Sequence, residues 1–123
     1  MTRGKVVLVA FPFDDLAAEK ARPAICLTEP LGAHRHIVLA FVTSQQPDDP
    51  LDTDIVLDPG DPDFAQTGLH VRSTVRTHRL LTVSSSLIKR ELGSLSPQRQ
   101  ELVNQAVRRL FETAEAPEGS GLT

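Results

Sequence analysis

Three runs in the first third of the chain, KVVLVAF (5–11), RPAICLT (22–28) and HIVLAFVTS (36–44), are β-branched and almost continuously apolar. A strand that is apolar at nearly every position has no face to turn to water, so each run predicts a β-strand covered on both sides. Pro12 with Asp14 and Asp15 ends the first run, and Pro30 with Gly32 marks a turn or short loop between the second and third. Pro23 lacks the N–H that a ladder needs, which puts it at the start of its strand or at an edge.

The remainder of the chain reads as shorter pieces. The Asp- and Pro-rich stretch 46–63 predicts a mobile loop, interrupted at 54–57 by a short strand in which Ile55 and Leu57 alternate with Val56. LHVRSTVR (69–76) has period two, predicting a strand that hides Leu69, Val71, Ser73 and Val75 and shows His70, Arg72, Thr74 and Arg76; LLTV (80–83) predicts another. Residues 84–92 suit a short helix stopped by Gly93. Ser96 followed by Pro97 is a strong helix start, a side-chain cap with a ring already set at the helical φ. The stripe Leu102, Val103, Ala106, Val107, Leu110 and Phe111 then predicts one apolar helix face, with Arg108 and Arg109 suited to its C-terminal dipole.

From Ala114 the composition turns to Glu, Pro, Gly and Ser, so the expected organisation is a single domain over 1–113 and a flexible tail over 114–123. At 123 residues the chain is long enough for one hydrophobic core and too short for two good ones. Several short strands followed by a helix give a β-rich α+β class, a small barrel or strongly curled sheet with helices at its edge.

Composition excludes other classes. With 40% hydrophobic and 24% charged residues this is an ordinary globular chain. No run approaches the roughly 20 apolar residues of a membrane helix, and no signal-peptide pattern opens the sequence, which makes the cytoplasm the expected location. The single Cys26 lies in an apolar run, where a thiol behaves as a small hydrophobe. The net charge of −3 hides an asymmetry. Seven aspartates and no bases lie between Asp48 and Asp63, whereas eight bases face only Glu91 and Glu101 from Gln66 to Phe111. Such a split suits a cationic face for phosphates or an acidic partner, and equally two solvated surfaces.

In order along the chain, RGKVVLVAFPFDDL (3–16), RPAICLT (22–28), FVTSQ (41–45), GLHVRSTVRTHRLLTV (68–83) and SLIKRELGSLS (86–96) resemble the pattern of MazF/PemK toxins of type II toxin-antitoxin systems. That resemblance implies an SH3-like barrel of the MazF/CcdB type with a C-terminal helix, usually a homodimer. It further implies metal-independent cleavage of single-stranded RNA without a cofactor, and neutralisation by a cognate antitoxin. On motif matching the catalytic arginine falls on Arg22 and the catalytic threonine on Thr43, with Ser73 matching a common serine near the site. Ser44, Gln45 and Arg76 are the supporting or RNA-binding candidates, and Phe13, in the opening loop beside Phe11, is the candidate for stacking a base. Lys5 stands where the family pattern has Asp, reversing a charge near the loop expected to border the active site, and Glu19 reads as a surface acid. A non-catalytic growth inhibitor on the same barrel, directed for instance at a topoisomerase, and a degenerate, non-toxic member are the alternatives.

The chemistry explains why these residue types fit. Metal-free RNA cleavage needs an acceptor for the 2′-hydroxyl proton, a cation for the growing phosphoryl charge and a proton source for the departing 5′-oxygen. A guanidinium holds two phosphoryl oxygens at once and stays charged, and a threonine hydroxyl donates to phosphate or orients the guanidinium. Without the resemblance, Arg22 is a surface arginine whose stem covers apolar area and Thr43 an ordinary strand residue. His34, His36, His70 and His78 have no partners at metal-site spacing, and none falls on a family catalytic position. Arg72, Arg76 and Arg79 are candidates for tracking an RNA backbone.

Overall fold

The computed structural model describes residues 1–11 and 20–112. Six strands, β1 (Lys5–Phe11), β2 (Lys20–Cys26), β3 (His36–Thr43), β4 (Asp54–Leu57), β5 (Ser73–Ser84) and β6 (Ile88–Ser94), form one sheet in the order β4-β5-β3-β2-β1-β6. Every neighbouring pair is antiparallel. Helix α1 (Pro97–Phe111) comes after the last strand. The three apolar runs are the inner strands β1, β2 and β3, each flanked on both sides.

Their two faces feed two separate cores. Val6, Ile25, Ala40, Val42 and Val75 pack with Leu57, Leu95 and the helix residue Val103. Val7, Val9, Ala24, Cys26, Ile37, Leu39 and Val83 form the second cluster, bordered by Phe41, Leu81, Leu87 and Ile88. Adjacent residues of one strand alternate between clusters, as the pleat requires. Burial pushes the Cys26 thiol up to about 11, so it packs as an apolar side chain.

The expected barrel is a six-stranded antiparallel sheet whose edge strands β4 and β6 do not pair with each other, so it is not closed by hydrogen bonds among the described residues. A 3-10 turn over Ala65–Thr67 lies against β6 instead. Gly68, at φ 75°, lies against the Leu92 carbonyl, and Gly93 lies against the backbone of Gln66 and Thr67. A side chain at either position would force that contact apart.

Several elements differ from the sequence reading. Residues 69–72 precede the sheet, and the two strands expected at 69–76 and 80–83 are one twelve-residue strand, β5. Its register against β3 jumps from Ala40↔Leu80 to Phe41↔Arg76, leaving Thr77, His78 and Arg79 as a bulge. The expected alternation also fails, because Ser73 to Thr77 are all buried: β3 and β4 flank them, and the Thr77 hydroxyl donates to the Thr53 carbonyl at 2.7 Å. The helix expected at 84–92 is a single 3-10 turn, Ser85–Leu87, capped by the Ser84 hydroxyl, and then β6. The open edge of β1 outcompetes a short local helix preference there. Pro23 lies inside β2 and pairs with Leu8, but β2 meets β3 only from Ala24 onward, so its other side is a local edge.

The start of α1 agrees with the sequence signal. The Ser96 hydroxyl accepts from the Arg99 backbone N–H at 3.2 Å and donates to Asp63 at 2.7 Å. The Ser96 bond, followed by Arg99, holds the Asp63 carboxyl below the usual range. Its contribution is therefore present above the ordinary aspartate range and is lost as the pH falls through the lowered value. The buried stripe is narrower than expected: Val103 and Ala106 are buried, while Leu102 is 42% and Phe111 74% exposed. The tail expected at 114–123 lies outside the described residues.

The charge asymmetry resolves within the chain. Asp61 and Asp63 hold Arg99 at 2.8 and 3.2 Å, Asp58 meets Arg72 at 3.6 Å, and Arg109 donates to the Asp52 carbonyl at 2.7 Å. The acidic stretch is thus laid onto the basic half of the chain.

The glycine contact gives a test of the seam. Gly68→Ala is expected to lower unfolding stability by at least about 2 kcal/mol in urea titration, combining a left-handed backbone with a clash. Gly32→Ala, at φ 74° with open space around it, is expected to lose only about 1 kcal/mol.

Candidate functional site

The β2–β3 ladder runs from Cys26↔Leu39 to Ala24↔Phe41 and stops. Carrying that register two residues further sets Arg22 opposite Thr43, where the strands are no longer paired. A cleft of about 710 Å³ opens there, and Arg22, Thr43, Ser44, Gln45, Ser73 and Arg76 all line it. All of the described site candidates are therefore brought to one cleft; Phe13 and Glu19 lie outside the described residues. A smaller pocket of about 230 Å³ shares Ser44 and Gln45 with it and adds Arg72 and Asp54.

Each candidate is held differently. Arg22 is exposed on β2 and pairs across the ladder with Val9. Thr43, half-buried at the end of β3, accepts from the Gln45 backbone N–H at 3.1 Å, an arrangement that leaves the hydroxyl proton available to a substrate oxygen. Ser73 is buried and donates its hydroxyl to the Val71 carbonyl at 2.8 Å, so it offers the cleft an acceptor.

Arg76 is a cation embedded in the wall. Its side chain is 10% exposed and its Nε lies 3.0 Å from Asp54, itself 8% exposed; Asp49, 78% exposed, reaches its Nη1 at 3.4 Å. The guanidinium is committed to carboxylates, which makes its first role structural. Arg79 stacks 4.9 Å over the Phe41 ring, the aromatic surface in this cleft. Lys5 pairs with Glu91 at 2.9 Å. That contact raises the Lys5 ammonium from its ordinary range. Lys5 sits four positions along β1 from the partner of Arg22, about 13 Å away by strand rise, and is not among the described residues lining the cleft; the loop it was expected to neighbour lies outside the described residues.

The sequence reading set His70 aside, yet it lines the cleft with Arg22 and Thr43. Its period-two position on an exposed face was legible; its place in a concavity opposite β2 was not. Among the described residues no group of three or more His, Cys, Asp or Glu side chains is placed to hold a metal ion. Among the described residues no helix is long and apolar enough to cross a membrane.

The model of the family described as PemK-like, MazF-like toxin of type II toxin-antitoxin systems matches residues 2–111. No curated protein sequence matches the chain. Among solved structures it is similar to the Mycobacterium tuberculosis toxin MazF-mt6, 21% identical over 87% of this chain and 95% of that one, with a TM-score of 0.64. An endoribonuclease in complex with its cognate antitoxin from a Mycobacterial species is 18% identical over 89% and 92%, with a TM-score of 0.61. The MazE-MazF structure from Deinococcus radiodurans is 16% identical over 89% and 93%, with a TM-score of 0.63. At these identities the structural likeness speaks for the fold.

Removing one half of the embedded ion pair leaves the other charge buried alone. Asp54→Ala is expected to cost about 3–5 kcal/mol by denaturant titration, and Asp54→Leu combined with Arg76→Met to recover most of that loss.

Proposed function

This chain belongs to the PemK-like, MazF-like toxin family of type II toxin-antitoxin systems, and on that premise we propose that it cleaves single-stranded RNA without a metal ion and is neutralised by a cognate antitoxin. The observation that carries the reading is the single cleft shared by Arg22 and Thr43. Their strands separate just there, leaving room for a phosphate between side chains that the ladder register sets across from each other.

In this reading the 2′-oxygen attacks the adjacent phosphorus, the bond from phosphorus to the 5′-oxygen breaks, and the products are a 2′,3′-cyclic phosphate and a 5′-hydroxyl. Arg22 holds two phosphoryl oxygens as charge grows on them. Thr43 donates its hydroxyl to the same group. Ser44 and Gln45 offer polar contacts at the mouth, and the Phe41 ring, backed by Arg79, offers a surface for a base. The relatives solved with their antitoxins support a protein inhibitor for this chain as well. A homodimer in the cytoplasm is the assembly that the family resemblance implies.

Purified protein is expected to cut single-stranded RNA in EDTA, and Arg22→Ala to slow single-turnover cleavage by about 10²- to 10³-fold, the usual effect of losing one transition-state donor. Because Arg22 is exposed, the unfolding midpoint should stay put. Growth inhibition with RNA left intact would overturn the reading.

A further inference from the structure

We infer that His70 is the general base of this cleft, the group that takes the proton from the attacking 2′-hydroxyl. The inference rests on the RNA-cleaving reading and supplies the proton acceptor that Arg22 and Thr43 leave unassigned.

The case begins with what the cleft lacks. Besides His70, its polar lining among the described residues consists of Arg22, Arg76, Arg79, Thr43 and its neighbours Ser44 and Gln45, and Ser73. Guanidinium groups stay protonated, and hydroxyls and amides are not basic, so none of these side chains can receive a proton near neutral pH. Among the described lining residues there is no Asp, Glu, Lys, Cys or Tyr. Asp49 and Asp54, the carboxylates behind Arg76, are held by it. His70 is the described lining residue with a ring nitrogen that can accept a proton.

Its place is fixed from both sides although it lies outside any strand. Upstream, the fully buried Thr67 donates its hydroxyl to the Phe64 carbonyl at 2.6 Å and accepts from the Leu69 N–H at 3.1 Å. Gly68 is held against Leu92, and Leu69 packs on the core. Downstream, the buried Ser73 ties off the Val71 carbonyl. Between these anchors the imidazole is exposed and makes no hydrogen bond or ion pair among the described residues, so a ring nitrogen is available to substrate. The charged groups facing the cleft are Arg22 from β2 and Arg76 and Arg79 from β5, with Arg72, paired to Asp58, on the same segment as His70.

In the step itself a neutral ring nitrogen of His70 accepts the 2′-hydroxyl proton as the 2′-oxygen bonds to phosphorus. The bond to the 5′-oxygen breaks, that oxygen takes a proton from solvent, and the imidazolium later returns its own proton to solvent.

The experiment is a single-turnover rate against pH for wild type, His70→Gln and His70→Ala, with binding measured on an oligonucleotide carrying 2′-deoxyribose at the scissile position. Wild type should speed up as the pH rises, as a step that needs a deprotonated base requires. His70→Gln should lose that limb and about 10²- to 10⁴-fold in rate while still binding the uncleavable strand. Added imidazole should restore His70→Ala in proportion to its neutral form. A wild type that cuts while His70→Gln keeps both rate and limb overturns the role of His70 alone, as does loss of binding without imidazole rescue. A wild type that cuts no RNA sinks the nuclease reading itself.

Discussion

The inner strands β1, β2 and β3 are apolar on both faces, and a single helix can cover only one. The second cluster holds Val7, Val9, Ile37, Leu39 and Val83, all at most 5% exposed, and at about 1.5–3 kcal/mol each their burial is worth roughly 7–15 kcal/mol. That is about the net stability of a whole domain, so leaving this face to water would undo the fold. The described cover comes from the same sheet and the turn that leads to its last strand: Phe41, Leu81, Leu87 and Ile88. A sheet that must bury its own second face has to curl, and the short β2–β3 ladder leaves an opening at the end of the curl where those two strands part.

The charged side chains among the described residues lining that opening, Arg22, Arg76 and Arg79, are all positive. The acidic stretch that gives the chain its net negative charge is bonded to Arg72, Arg76, Arg99 and Arg109. Carboxylates therefore stand behind the cleft wall and donors stand in front. Overall charge is a poor guide to such a site, because a phosphate responds to the groups within a few ångströms and salt screens the rest.

The features that can be read from the sequence are those set by local chemistry. Strands β1, β2 and β3 show themselves by runs with no polar face, and α1 by the serine and proline at its start. Strand β5 cannot be read as one element, because its register is carried past Thr77–Arg79 by a bulge that only pairing with β3 defines. Strand β6 is masked by a helical turn that does begin at Ser84, and only the open side of β1 turns the residues after it into a strand. Arg22 and Thr43 are candidates through resemblance alone, with no local signal of their own; that they share one cleft is set by where β2 and β3 part. The lining position of His70 depends on a loop anchored by Thr67 and Gly68, through tertiary contacts that periodicity does not report.

The two strands that end the sheet each carry backbone groups on the side away from their strand neighbour, covered on β6 at Gly93 by the turn Ala65–Thr67. One, β4, is four residues long; the other, β6, exposes Lys89, Arg90 and Glu91 in succession. Brevity on one side and a mixed-charge fringe on the other make edge-to-edge stacking of copies unfavourable, since a second molecule adding its strand would have to desolvate those charges.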